Sequence, residues 1–394
     1  MKIALIIPGT LPVPAVHGGA VETLIEYLID YNEQYLNHEI TIFGIDNRGL
    51  SHFDFSQYKQ TRFYLLNQQS YSTKIKRKLY QLFNKNFYYN YFLDYFASDV
   101  SGKLGRDNFD IVIVENRPGF VLPISLRTNA KIVLHLHNDT LDKDTKDAKA
   151  IVDACSKILT VSDYVKGRVG TITSTDKINV VYNGIEIERF SYPQISGISR
   201  SDWGLSDDDF VVVFTGRITQ IKGVKELLQA FILLSEYPNI KLLLVGGSFN
   251  DTTKEDIFMK EMRQMSSQIS EQIFFTGFQS YEKIPSILSL CDMAVIPSIC
   301  EDALTMTSLE DMAVGLPLVV TRSGGIPEAV DEKCAIIVDK DSNLVKNLAK
   351  AILVLYNDQN MRAEMSKHAK ERSVLFSKES YCKSLFQSLV DNLK

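Results

Sequence analysis

The sequence lacks any uninterrupted apolar run reaching the ~18 residues of a membrane-crossing helix, so any contact with a bilayer is expected to be peripheral. Its five cysteines, Cys155, Cys291, Cys300, Cys334 and Cys382, are odd in number, scattered, and never in CxxC spacing. They make neither a disulfide framework nor a metal site, and a reducing compartment is expected. Charge of one sign is also scarce, since 43 lysines and arginines against 48 acids leave a formal −5. So mild a balance argues against a nucleic-acid protein, although an even total can hide a local patch. No charged segment followed by an apolar core opens the chain, because Met1 runs directly into KIALIIPG. The expected location is the cytoplasm, including the inner face of the cell membrane.

What is present is an α/β rhythm stated twice. At 394 residues and 45% hydrophobic, the chain can bury two cores. Lys2 to Ile7 reads as a strand, PGTLPVPAVHGGA as a glycine turn, and VETLIEYLIDYNEQY as a helix with Leu24, Leu28 and Tyr31 at helical spacing. Gly18 and Gly19 stand just before that helix, where bare backbone can approach a phosphate; a tight turn that merely reverses the chain would use them equally well. HEITIFGI, RFYLLN, DIVIVEN, KIVLHLHND, KILTVSD and INVVYNGI are further strands. Alternation places His135 and His137 on one side of theirs, with His137, nearer the end, better placed for a pocket.

From Glu186 to Asp209 periodicity is lost, and Pro193, Gly197 and Gly204 gather with several serines. Asp207 to Asp209 reads there as a solubilising turn and not as a metal-binding DxD. The pattern restarts at Phe210. The expected organisation is a first doubly wound domain over 1–190, a linker over 191–209, a second such domain over 210–375 and a closing helix over 376–394. Doubly wound units of this kind would face each other across a cleft between their loop edges.

Between Asp54 and Asp94 there is no acid at all, while Lys59, Arg62, Lys74, Lys76, Arg77, Lys78 and Lys85 all fall there. Placed on one helix at about 100° per residue, Lys74, Lys78 and Lys85 share a face, with Ile75, Leu79, Leu82 and Phe83 adjoining it. Such a helix can lie on anionic lipid. Alternatively, it is a surface helix with a solvated cationic face and a stripe turned to the core.

In the second half, Arg217 leaves the end of FVVVFTGR and Lys222 follows near the next helix, a pair able to clamp a diphosphate without a metal. The stretch from Ser298 to Ala329 carries Glu301 and Asp302 on a loop, then Glu310 on a helix, with seven residues between Asp302 and Glu310. Glu310 can accept bonds from two ribose hydroxyls, Asp302 from hydroxyls of a transferred sugar, and the helix N-terminus between them suits an anion. A surface acid and a helix-terminal charge are the plainer readings of these two carboxylates. Gly324-Gly325 reads as a turn.

On HGGA, TGRITQIKG, VYNGI and DALTMTSLEDMAVGLPLV, the chain resembles a family 4 glycosyltransferase of the GT-B fold over nearly its whole length. The family's last motif usually holds two glutamates; Asp302 replaces the first, and Thr305 stands where glycine is common. The resemblance implies a retaining, metal-independent transfer of a hexose-type sugar from a nucleotide diphosphate, UDP favoured, to a glycan or lipid-linked hydroxyl in cell-surface polysaccharide synthesis. No metal or other cofactor and no nucleic acid are implied. By this analogy Arg217 and Lys222 hold the diphosphate with Gly216, the Gly18-Gly19 backbone and the loop of Thr305, Met306 and Thr307. Glu310 holds the ribose, Gly277 and Phe278 face the base, and His137 and Asp302 meet the donor sugar. The leaving phosphate oxygen takes the acceptor's proton, and the closing helix over 376–394 crosses back to the first domain. The alternatives are an epimerase of the same fold and a non-catalytic partner subunit.

Overall fold

The computed structural model describes residues 1–16, 18–192, 197–248 and 256–391. They divide into two compact units, Met1–Asn183 with Glu379–Lys394, and Gly184–Lys378. Each is built on a parallel sheet whose strands are near-continuous apolar runs, as burial on both faces requires.

In the first unit the strands are β1 (Lys2–Ile6), β2 (Glu39–Ile45), β3 (Thr61–Leu66), β4 (Ile111–Glu115), β5 (Lys131–Leu136), β6 (Lys157–Thr160) and β7 (Ile178–Val180), in the order β3-β2-β1-β4-β5-β6-β7. The order reverses between β1 and β4, which is where ligands of open α/β sheets sit. The Gly18-Gly19 loop follows β1, Glu115 ends β4, and His137 lies just past β5. Helix α1 (Ala20–Tyr31) buries Leu24, Ile25, Leu28 and Ile29.

Helix α2 (Tyr71–Phe83) lies within the acid-free stretch and α3 (Tyr91–Leu104) begins at its end, and two expectations there need correction: the face given to Lys85 and the stripe turned to the core. Lys85 does not share a helical face with Lys74 and Lys78. The helix stops after Phe83, at Asn84, whose backbone is extended and whose amide and side chain both bond the Tyr80 carbonyl. Nor does the apolar stripe turn to the core: Ile75, Leu79, Leu82 and Phe83 are all exposed.

The second unit repeats the architecture with β8 (Phe210–Thr215), β9 (Ile240–Val245), β10 (Ile273–Gly277), β11 (Met293–Ile296), β12 (Leu318–Thr321) and β13 (Ala335–Val338), ordered β10-β9-β8-β11-β12-β13. Its reversal lies between β8 and β11, so the loops carrying Arg217 and Lys222 and those carrying Glu301 and Asp302 leave neighbouring strands. Its core gathers Phe231, Leu244, Val295, Ile352 and Leu355. The stretch beginning at Glu186 is more ordered than its composition suggests, because Ile187–Ser191 is a short helix that buries Phe190. The two ends of this unit are tied together: the Ile185 amide donates to the Phe376 carbonyl at 2.8 Å, the Lys378 amide to the Ile185 carbonyl at 2.8 Å, and Lys378 pairs with Glu186 at 2.6 Å.

Candidate functional site

In the second unit the loops after β8 and β11 are bonded together, the amides of Ile299 and Cys300 donating to the Ile221 carbonyl at 3.0 and 3.2 Å. Lys222 closes a turn of 3-10 helix, and Gly223 after it takes a left-handed φ of 70°. A Cβ there would lie 1.8 Å from the Pro297 carbonyl oxygen, so glycine lets the lysine loop lie against the end of β11. This contact brings Lys222 Nζ to 2.5 Å from Asp302 Oδ1. The diphosphate and sugar candidates are thus partners of each other. The other oxygen of Asp302, Oδ2, is buried with no hydrogen-bond partner among the described residues. A buried acceptor of this kind costs free energy until a donor arrives.

Arg217 is exposed and has no ion-pair partner among the described residues. It follows Gly216, whose carbonyl lies against Gly246, and the Gly246 amide donates to the Gly277 carbonyl at 3.1 Å. Gly216 and Gly277 are therefore joined through a third glycine at the carboxyl ends of β8, β9 and β10. Phe278, 49% exposed, leaves a ring open beside them.

Thr305 precedes the helix Met306–Val314, and its side chain makes no cap bond to the first-turn amides; its hydroxyl turns to Ser308 Oγ at 3.0 Å. The amides of Met306 and Thr307 thus begin a helix whose N-terminal donors are open to an anion. Glu310 sits one turn inside, buried, accepting from the Tyr281 hydroxyl at 3.0 Å. Burial pushes its carboxyl up to about 7, against the Tyr281 hydrogen bond and the attraction of Arg189. Arg189 lies over the Tyr281 ring at 4.7 Å. The acid loop is braced by its neighbours: Glu301 pairs with Lys340 and accepts the Gly324 amide, and the Gly325 amide donates to the Asp302 carbonyl at 2.7 Å. Gly324-Gly325 is a turn, as its sequence suggests, and it also supports Asp302.

In the first unit, alternation along β5 does place both histidines together, their rings 4.1 Å apart. Each reaches one carboxylate oxygen of Glu115, at 3.0 Å from His135 and 2.8 Å from His137. His137 is held well below the usual imidazole range, to about 4, by burial first and then by His135, which leaves the ring neutral and able to donate to Glu115. Glu22 lies in the first turn of α1, with the Glu115 charge acting on it, and burial raises it to about 6. Behind Gly19, a Cβ would lie 2.3 Å from the Glu22 carboxylate. Gly18 has open space around its Cβ position. Among the described residues, Glu115, His135 and His137 are the set that could hold a metal, their ligand atoms all within 4.8 Å of one another.

Sequence reading missed Glu115, Glu22, Tyr281 and Arg189. A signal existed for the first: Glu115 and His135 end adjacent strands and pair directly in register. Tyr281 and Arg189 lie far from Glu310 in sequence, and nothing local announces their convergence.

Two doubly wound sheets of this strand order define the GT-B class. The structure aligns with that of Anabaena Alr3699/HepE in complex with UDP-glucose at a TM-score of 0.74 and 19% identity, covering 99% of this chain and 100% of that one. The model for glycosyl transferases group 1 matches residues 197–372, and that for glycosyltransferase family 4 matches residues 18–189. The chain belongs to the family 4 glycosyltransferases. It is 27% identical over 389 residues to YtcC of Bacillus subtilis (strain 168), covering 94% of this chain and 87% of that protein. It is also 26% identical over 235 residues to the lipopolysaccharide 1,2-N-acetylglucosaminetransferase of Salmonella typhimurium (strain LT2), covering 59% and 60% of the two.

Proposed function

We propose that this glycosyltransferase moves a hexose-type sugar, with retention and without a metal, from a UDP-sugar to a glycan or lipid-linked hydroxyl in cell-surface polysaccharide synthesis. The observation that carries the reading is Lys222 on Asp302 at the reversal of the second sheet, with Asp302 Oδ2 buried and without a hydrogen-bond partner among the described residues, beside the uncapped Met306–Val314 helix. A diphosphate there takes N–H donors from Lys222, Arg217 and the amides of Met306 and Thr307. Asp302 Oδ2 accepts a sugar hydroxyl, Glu310 the ribose hydroxyls, and Phe278 offers its face to the base. The lysine can serve phosphate and Asp302 together, since an ammonium carries three donors. With two cations and a helix terminus meeting the leaving charge, no ion is required for it. His137, neutral, is assigned to the donor sugar. Departure of the diphosphate breaks the sugar C1–O bond as the acceptor oxygen bonds C1 on the same face, and the acceptor proton passes to the leaving phosphate oxygen.

UDP supports this choice of donor because a structural neighbour is complexed with UDP-glucose, and the cell-surface acceptor is supported by the lipopolysaccharide transferase among the relatives. A peripheral membrane contact belongs to the same reading. The test is incubation with UDP-hexoses and a lipid-linked acceptor, following free UDP and the anomeric configuration of the product. Inversion would overturn the retaining step. With donor alone, an altered sugar still attached to nucleotide would identify an epimerase instead.

A further inference from the structure

Helix α2 is fastened to the first unit by one face only. Thr73 is buried there, Arg77 lies over the Phe92 ring at 4.1 Å, and Tyr80 meets Tyr95 edge-on at 5.7 Å. At about 100° per residue these three fall together, and the opposite face carries Tyr71, Ile75, Leu79 and Leu82. That face is open: the four are 81, 42, 49 and 70% exposed, and Phe83 at the helix end is 84% exposed. Helices of globular proteins turn such a stripe inward. This one turns it outward.

Cations border the stripe, Lys74 and Lys78 along one edge and Lys76 along the other, with no acid anywhere from 55 to 93. No described helix is long and apolar enough to cross a membrane, so α2 is suited to lie in an interface and not to span one. An apolar strip with ammonium groups on both edges complements an acyl boundary beneath a sheet of phosphates.

We propose that α2 inserts into the surface of an anionic phospholipid bilayer, with Tyr71, Ile75, Leu79, Leu82 and Phe83 in the acyl boundary and Lys74, Lys76 and Lys78 at the phosphates. Lys85, beyond the helix, adds to the attraction without lying on the inserted face. The contact is therefore apolar as well as electrostatic, which a solvated basic patch would not be. It rests on the lipid-acceptor reading for its purpose, since it would hold the enzyme where such an acceptor lies, and on α2 alone for its geometry.

The experiment is flotation of the full chain with phosphatidylcholine vesicles, with and without phosphatidylglycerol. Binding is expected only with the anionic lipid, weakening with salt. Each Lys→Gln change at Lys74, Lys76 or Lys78 should lower partition about fivefold, the worth of one charge at such a surface, and each Lys→Glu change by more. Leu79→Ser with Leu82→Ser should lower it more than about tenfold at constant charge. In Phe83→Trp, the added tryptophan should shift to the blue and be quenched by brominated lipid, against the single native Trp203 as baseline. Undiminished partition of the double serine variant would overturn insertion, leaving an electrostatic contact only. A concentration-dependent dimer in lipid-free solution that the serine variant abolishes would overturn it too, giving the stripe to a second copy. UDP binding is read separately by thermal shift: loss of the vesicle contact with the UDP shift intact removes the insertion proposal alone, and the reverse result removes the donor reading alone.

Discussion

Two carboxylates of the second unit can be distinguished by what surrounds them. Glu310 is buried with one tyrosine hydroxyl, and its carboxyl is raised to about 7 from an ordinary 4.5. A raised acid contributes stability that is complete below pH 4.5 and is lost as pH rises through about 7. Glu310→Gln, which keeps an acceptor for Tyr281, should therefore melt higher than the parent at pH 8 by an amount reflecting up to about 3 kcal/mol, and at the same temperature as the parent at pH 4.5. It should also bind UDP at least about tenfold more weakly, because a charged acceptor on ribose is worth more than a neutral one. Weakened UDP binding without the pH-dependent gain in stability would mean that the buried carboxylate carries no penalty in the free protein.

Asp302 is different, because its cost is offset by Lys222. Lys222→Ala alone leaves a carboxylate partly buried and unpaired, which destabilises by up to about 3–5 kcal/mol, so lost activity in that variant mixes folding with chemistry. Combining Lys222→Ala with Asp302→Asn removes the stranded charge. The pair should recover most of the melting temperature and still turn over at least about 100-fold more slowly than the parent. Wild-type rate in the double variant would remove both residues from the mechanism.

At the scale of elements, the acid loop depends on the turn that follows β12. Gly324 has a φ of 51°, and a Cβ there would fall 2.0 Å from the Asp302 carbonyl oxygen. Gly324→Ala should displace the loop that presents Asp302, lowering the UDP-sugar rate more than UDP affinity, which depends on other groups as well; equal loss of both would place the turn under the nucleotide and not under the sugar. Such a dependence is legible only in part. The strands follow from apolar runs of buried parallel strands separated by helical spacing, but the order that sets β8 beside β11, and with it the pairing of acid loop with basic loop, is seen only in the folded sheet. The Cβ clash, likewise, is a property of two backbones packed together, and GG in a sequence says only that a turn is permitted. α2 shows the opposite limit: its amphipathic spacing is plain in the sequence, but periodicity reports that a stripe exists and not which way it faces. Neighbouring α3 contacts the face carrying Thr73 and Arg77, and only the packed structure shows the leucines left outside. The helix end at Asn84 was equally hidden, because nothing between Tyr80 and Lys85 is a proline or a glycine.

At the scale of the whole molecule, every proposed nucleotide contact except the Gly18-Gly19 backbone belongs to the second unit. That unit's chain ends are hydrogen-bonded to each other through Ile185, Phe376 and Lys378, so cutting there severs the chain where its ends are already held. The fragment 184–378 should fold alone and show a UDP-induced rise in melting temperature, with a Kd within about tenfold of the full chain. Chelation separates the two candidate roles for charge. If Lys222, Arg217 and the helix amides neutralise the diphosphate, the UDP shift survives EDTA in both the fragment and the full chain. If Glu115, His135 and His137 hold an ion of their own, EDTA lowers the melting temperature of the full chain even without UDP and leaves the fragment unchanged, since all three ligands lie in the first unit. Loss of the shift in both would instead assign the countercharge to a metal carried by the nucleotide, and the metal-free proposal would fail at its premise.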